Sequence, residues 1–546
     1  MRKRNRSLAF LLVGAMTVSA MLAGCGSKSE TPDTDTPKET AGTAEQTGAP
    51  AQASDAAWDS SKEDTIVLSV INNYYTAGQK KLAEEYMELH PETKVVVDVV
   101  SDNDAYMTKM QTAFSADQND APDIVHGNFV VNALTASSWN VAFEKGYLTD
   151  LAPMLDEVNP YNDGKLVRDV FDPNDLAIAL NKTGGSKMGI LPFDKIGVAF
   201  FYNKDIFEKE GVAVPETFED LIAACETFQS KGYQNPIAAG LESSWFLNSI
   251  ADSGYRIIED QFLTQPGDAV WDEATMTANE GFKWDPSNLK CDKDIVNNDE
   301  RIAMYRKENS VNTELNKAIW DTFSKVAKFF PENWVGVDSN QMITDFEMGN
   351  SPMLLQGSFN AGKILDDINQ LPADKQFQWS TFQFPSFKDA PQGLENTLRG
   401  LFVLGNEMAV VQKDSEDHMA RVKDFYKFWY SPKQAQTTYE ETLASGNFIQ
   451  GPSVIAGVTL SAELQEKLDG FVPEGTARDW DGLTGFTRVT QADMPKFYDL
   501  VNSLSRGKID AGEFLEQLKP YYDKYSDEGI ASAGFDLDPA TLDTAK

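Results

Sequence analysis

The residues of this sequence best suited to chemistry are aromatic rings set beside amides and carboxylates where short apolar runs end. Asn72-Asn73-Tyr74-Tyr75 closes one such run, and His126-Gly127-Asn128-Phe129 closes another. Trp139 lies a little further on, Glu242 and Trp245 follow the apolar stretch 236–240, and Trp480-Asp481 lies in the Gly-containing stretch 479–485. Rings cover flat apolar faces of a ligand, while amides and carboxylates supply hydrogen-bond donors and acceptors. This is equipment for binding. Nucleophilic, metal-assisted and nucleotide chemistry need other patterns, and the chain has no GxSxG, HExxH, Walker A or GxGxxG motif. His90 stands beside the helix-ending Pro91, and His418 begins what reads as a surface helix, so no histidine-centred triad is suggested. Glycoside hydrolysis needs only two carboxylates, and among 84 Asp and Glu no motif removes that rival.

The elements that must position these residues follow from periodicity. Thr65–Ile71 is a short β-rich apolar run. The spacing of Leu82, Tyr86 and Leu89 predicts a helix over about 78–89 that ends at Pro91. Lys94–Val100 reads as a second strand, about 104–116 as a second helix, and Ile124-Val125 as a third strand. Strand–helix–strand order predicts parallel β-α-β units and an α/β sheet covered on both faces. Ligands of such sheets sit at the carboxyl ends of the strands, where the first two aromatic loops fall. Thr217 and Asp220 form a capping box for a helix carrying Phe218, Leu221, Ile222, Cys225 and Phe228 at helical spacing. Cys225 therefore reads as core, with a disulfide to Cys291 as the alternative. Trp429 shares a helical stripe with Met419, Val422, Phe425 and Tyr426, which is a packing pattern.

Composition bounds the partners. With 48 Lys and Arg against 84 Asp and Glu the net charge is −36, so nucleic acid would be repelled. Three Cys make no disulfide framework, and none has zinc-site spacing. Asp292, Asp294, Asn298 and Glu300 lack the central Gly and the spacing of an EF-hand, so neither metal nor cofactor is expected. At the N-terminus Arg2, Lys3, Arg4 and Arg6 precede a 15-residue apolar stretch from Leu8 to Leu22, which then runs into Ala23-Gly24-Cys25. That stretch is short for a spanning helix. It reads as a lipoprotein signal peptide over 1–24, with cleavage before a lipidated Cys25. Residues 26–62 are rich in Ser, Thr, Ala, Gly, Pro and acids, and Trp58 is their one aromatic. Such a stretch cannot bury enough apolar surface to order itself, so 25–62 reads as a disordered tether spanning roughly 30–35 Å.

Several segments stand out for their order along the chain. They are Ala-Pro-Asp-Ile-Val at 121–125, Gly-Tyr-Leu-Thr-Asp-Leu at 146–151, Gly-Ile-Leu-Pro at 189–192, Phe-Tyr-Asn-Lys-Asp-Ile-Phe at 201–207 and Pro-Glu-Thr-Phe-Glu-Asp-Leu at 215–221. Phe346-Glu347-Met348-Gly349 leading to Gly357-Ser358-Phe359, and the stretch from Phe425 to Gln436, continue the series. In this order the segments resemble the family 1 extracellular solute-binding proteins, the carbohydrate-capturing lipoproteins of ABC importers related to maltose-binding protein. The resemblance implies an α/β, two-lobed periplasmic-binding-protein-like fold with a discontinuous hinge. By it the first lobe is 63–190 plus 402–445 and the second is 191–401 plus 446–546, with crossings near 189–193, 398–401 and 445–451. The stretch 255–340 matches nothing in the family's pattern and enlarges the second lobe.

The resemblance further implies a sugar in the cleft, hinge closure around it, delivery to a membrane permease pair, and a monomeric protein lipid-anchored on the outer face of the bacterial cell membrane. On that reading the ligand set is Asn73, Tyr74, Tyr75, His126, Asn128, Trp139, Asp194, Glu242, Trp245, Phe359, Arg399, Asn447, Trp480 and Asp481. Asp194, Arg399 and Asn447 come from the crossings. Phe359 stands where the family often has a stacking Trp, and it lacks the indole N–H. A non-sugar solute such as a peptide is the alternative ligand. A phosphorylated one would call for cationic loops, whereas these are aromatic, amide-bearing and acidic.

Overall fold

The computed structural model describes residues 63–71, 74–135, 138–182, 187–265, 299–446, 448–471 and 474–538. The leader, Cys25, the tether, Cys291 and the site candidates Asn73 and Asn447 lie outside the described residues. So does 266–298, which holds most of the acidic loop considered above.

The strands are β1 (Thr65–Ile71), β2 (Lys94–Val100), β3 (Ile124–His126), β4 (Asp194–Ile196) and β5 (Val198–Asn203). They continue with β6 (Ile237–Ala239), β7 (Met353–Gly357), β8 (Trp379–Phe382), β9 (Val403–Gly405) and β10 (Met408–Val410). One four-stranded sheet has the order β10-β3-β1-β2. β1 runs parallel to β2 and β3, and β10 returns antiparallel to β3. All seven residues of β1 are buried, as expected of a central parallel strand covered on both faces. The intervening helices, Thr76–Leu89 and Asn103–Ala116, fall close to their expected places. Leu82 and Tyr86 pack inward, but Leu89 is 60% exposed. It shares their face by spacing, yet it sits in the last turn, past the surface that covers the rest.

The second sheet has the order β6-β7-β5-β8, with β5 antiparallel to β7 and β8 and β6 parallel to β7. Between the two sheets β4 pairs antiparallel with β9, and Asp194 also bridges Ser453. Three passages of chain therefore run side by side at the junction. β5 shows how the second sheet is covered: Ala199 and Phe201 join a core that also holds the first sheet, while Val198 and Phe200 join a second core. The second core takes the helices Ser243–Tyr255, Glu314–Ala327, Met494–Ser505 and Ala511–Ala533.

Local signals hold where chemistry is local. Thr217 Oγ1 accepts from the Asp220 N–H at 3.1 Å, and the Asp220 carboxylate accepts from the Thr217 N–H at 3.1 Å. Cys225 is a buried free thiol on that helix, and Trp429 is fully buried. His418 departs from expectation. It is buried at the start of the Glu416–Trp429 helix because its Nε2 meets the Asp123 carboxylate at 2.8 Å. That partner lies 295 residues away in sequence, so the polar neighbourhood of His418 misleads.

Candidate functional site

The end of β1 meets the chain crossings. Tyr74 forms a parallel bridge with Phe448, and the Tyr75 N–H donates to the Phe448 carbonyl at 3.3 Å. Phe448 in turn lies over Gly362, where a Cβ would stand 2.6 Å from its ring. Gly362 opens the Ala361–Gln370 helix, three residues past Phe359. The carboxyl ends of β1 and β7 are thereby brought to one place, with Tyr74 and Phe359 both half-buried. Ser358 fastens the same corner: its hydroxyl accepts from the Gly197 N–H at 3.3 Å and donates to the Gln450 carbonyl at 2.7 Å.

Tyr75 turns the other way. Its backbone is left-handed at φ 54°, which sends the phenol into the interior with no exposed surface. The hydroxyl donates to Asp194 Oδ2, and the ring packs edge-on against Phe193 at 5.3 Å and Tyr439 at 5.4 Å. Asp194 is equally buried. Burial raises its pKa to about 7, with Glu407 nearby adding to the rise and the Tyr75 hydrogen bond opposing it.

At the end of β3, His126 and Trp139 come together while Asn128 points outward. His126 keeps part of its surface in solvent, but its Nδ1 is buried without a hydrogen-bond partner among the described residues. Burial first, and the Lys182 cation second, lower its pKa to about 3, so the ring is neutral. Trp139 is buried against Gly127 and Gly189, where a Cβ would come within 2.6 and 2.4 Å of its indole. Lys182 Nζ stands 5.5 Å from the indole centroid and pairs with Glu407 at 2.5 Å. Asn128 is exposed.

On the second sheet Glu242 and Trp245 follow β6. Glu242 is buried, its Oε1 accepting from the Ser339 hydroxyl, whereas Trp245 is half-buried at the start of the Ser243–Tyr255 helix. Arg399, Trp480 and Asp481 fall into a separate cluster deeper in that half. Asp252, fully buried, accepts from the Trp480 indole at 2.9 Å, the Arg478 backbone at 2.9 Å and Arg256 at 3.0 Å. Arg399 pairs with Asp252 at 3.4 Å and with Glu395. Trp480, 1% exposed, stacks on Tyr255 at 5.2 Å. Asp481 is buried, its pKa raised to about 7 by burial and by Asp479.

Sequence reasoning passed over Lys182, Glu407 and Gln450. Gln450 falls inside the third expected crossing, which was its one available signal. Lys182 and Glu407 carry none, since an ion pair between segments 225 residues apart leaves no local pattern.

A family model described as bacterial extracellular solute-binding protein matches residues 72–436. Multiple sugar-binding protein of Streptococcus mutans serotype c is 21% identical over 383 residues, covering 70% of this chain and 74% of its own length. The melibiose/raffinose/stachyose-binding protein MelE of Bacillus subtilis is 26% identical over 209 residues, 38% of this chain and 41% of that protein. Among solved structures, the apo-form of RafE from Streptococcus pneumoniae superposes with a TM-score of 0.52 at 18% identity, over 85% of this chain and 98% of RafE. A family 1 extracellular solute-binding protein from Bifidobacterium longum subsp. infantis gives 0.51 at 16% identity, over 84% and 99%. The likeness shows the fold: two α/β lobes on a discontinuous hinge.

Proposed function

We propose, from the premise that this chain belongs to the bacterial extracellular solute-binding protein family, that it captures an oligosaccharide between its lobes and delivers it to an ABC permease. The observation that carries this reading is the meeting of β1 and β7 through Phe448, which leaves half-buried aromatic rings of both sheets, Tyr74 and Phe359, at one corner. Two relatives with sugar-binding names support the ligand class.

Tyr74, Trp245 and Phe359 are the stacking surfaces on this reading. Asn73, Asn128, Glu242 and Asn447 serve the ligand's hydroxyls, and His126 and Trp139 back the pocket from the end of β3. We assign Arg399, Trp480 and Asp481 to holding the second lobe together, and Tyr75 and Asp194 to the hinge. The lobes are 63–190 with 402–445 and 191–401 with 446–546. The signal peptide, the lipid on Cys25 and the tether over 25–62 keep the monomer at the outer face of the membrane. No helix among the described residues is long and apolar enough to cross a membrane. We read the protein as a binder and not as a hydrolase.

Ligand that bridges both lobes favours the closed state and shifts the population toward it. Selective binding to the folded state also stabilises it, by about 2.7 kcal/mol at a hundred times Kd. An oligosaccharide panel tested by thermal shift is therefore expected to contain sugars that raise Tm. A flat response to every sugar with a rise for peptides overturns the carbohydrate reading. Trp245→Ala is expected to abolish sugar-induced quenching of tryptophan fluorescence while circular dichroism stays unchanged. Unaltered affinity in that variant removes Trp245 from the site.

A further inference from the structure

The three passages of chain between the lobes and the end of β1 are fastened at one buried point. β4 supplies Asp194, β9 supplies Gly405, and the third passage supplies Gln450. The Tyr75 hydroxyl donates to Asp194 and accepts the Gln450 N–H at 3.1 Å. The Gln450 side-chain oxygen accepts from the Asn406 N–H at 2.6 Å. The carboxylate fits only because residue 405 is glycine: a Cβ there would stand 2.4 Å from Asp194 Oδ1. Tyr75 holds a left-handed backbone to reach this point, a conformation unfavourable for a non-glycine residue.

Among the described residues no cation pairs with the Asp194 carboxylate. Lys195, its neighbour on β4, pairs with Asp175 at 2.6 Å, and Lys182 pairs with Glu407 at 2.5 Å. The titratable groups facing it are the Tyr75 phenol, Tyr439 of the Pro432–Ala444 helix, Tyr430 at the end of the Glu416–Trp429 helix, and Glu407 before β10. Asp194 Oδ1 is buried with no hydrogen-bond partner among the described residues.

We propose that Tyr75 and Asp194 are positioning residues of the hinge, and that the charge on Asp194 sets how firmly the first lobe is fastened to the crossing strands. A neutral carboxyl is tolerated in this surrounding of rings. An ionised one carries a bare buried oxygen that needs water, and water reaches it only when the junction loosens. Since burial brings the titration to about 7, the fastening is tight in acid, slackens as pH rises toward that value and changes no further above it.

The test uses the ligand-free mature chain. Hydrogen exchange at the Asn406 and Gln450 amides, corrected for intrinsic rate, and the radius of gyration from small-angle scattering are followed across about pH 5 to 9. In the wild type, protection at both amides is expected to fall by up to about tenfold per pH unit below the midpoint and to level off above it, with a rise in radius. Asp194→Asn keeps an acceptor for Tyr75 without the charge, and its profile is expected to be flat. Tyr75→Phe removes a bond that favours the ionised form, so its midpoint is expected to move to higher pH. A pH-independent wild type, an Asp194→Asn profile like the wild type's, or an unmoved midpoint in Tyr75→Phe overturns the proposal. Should Asp194→Asn fail to fold, the wild-type slope and the Tyr75→Phe midpoint still decide it.

Discussion

Asp194 also bears on stability. Its carboxyl titrates at about 7 in the fold against an ordinary value of 3.8, so the native state holds a proton that the unfolded chain has released. Stability from this group is complete below pH 3.8 and is lost as pH rises toward 7, by up to about 4 kcal/mol. His126 runs the other way: neutral in the fold down to about pH 3, it withdraws stability as pH falls below 6.5. Denaturant unfolding at about pH 5 and pH 8 is expected to show a smaller loss on alkalinisation in Asp194→Asn than in the wild type. Position in the chain was enough to single out Tyr75 and Asp194, since each follows a strand end or a crossing. Their pairing was not legible. They stand 119 residues apart, and a side-chain contact across that separation leaves no periodic trace in either segment.

Elements were legible in proportion to their length and repetition. β1 and β2 are seven-residue runs dominated by β-branched and apolar side chains, and the spacing of Leu82 and Tyr86 marks a helix whose face is buried. β4, β9 and β10 are three residues each, too short to carry a period, and they exist because tertiary partners complete their ladders. The hinge pairing of β4 with β9 was thus beyond reach from periodicity, and only the family resemblance pointed to crossings there. Helix ends are different, because a cap is encoded within four residues. Thr217→Ala removes the acceptor for the Asp220 N–H and is expected to cost about 1 kcal/mol, measured by urea unfolding, with ligand affinity unchanged.

Across the whole molecule the two cores divide the labour unequally. The first spans the first sheet, β9 and one face of the second sheet. The second lies on the far face of the second sheet, where Asp252 ties the 395–399 and 478–480 loops to the Ser243–Tyr255 helix. On the proposed capture by hinge closure, this arrangement would keep the reorganisation away from the C-terminal helices. The Ala511–Ala533 helix places Phe514, Leu515, Leu518 and Tyr522 in the second core and contributes nothing to the first. Tension applied at the C-terminus in an optical trap should therefore peel that helix as an early, separate rip, before the crossing strands give way. A first rip that already contains β9 would mean that the two bodies yield together.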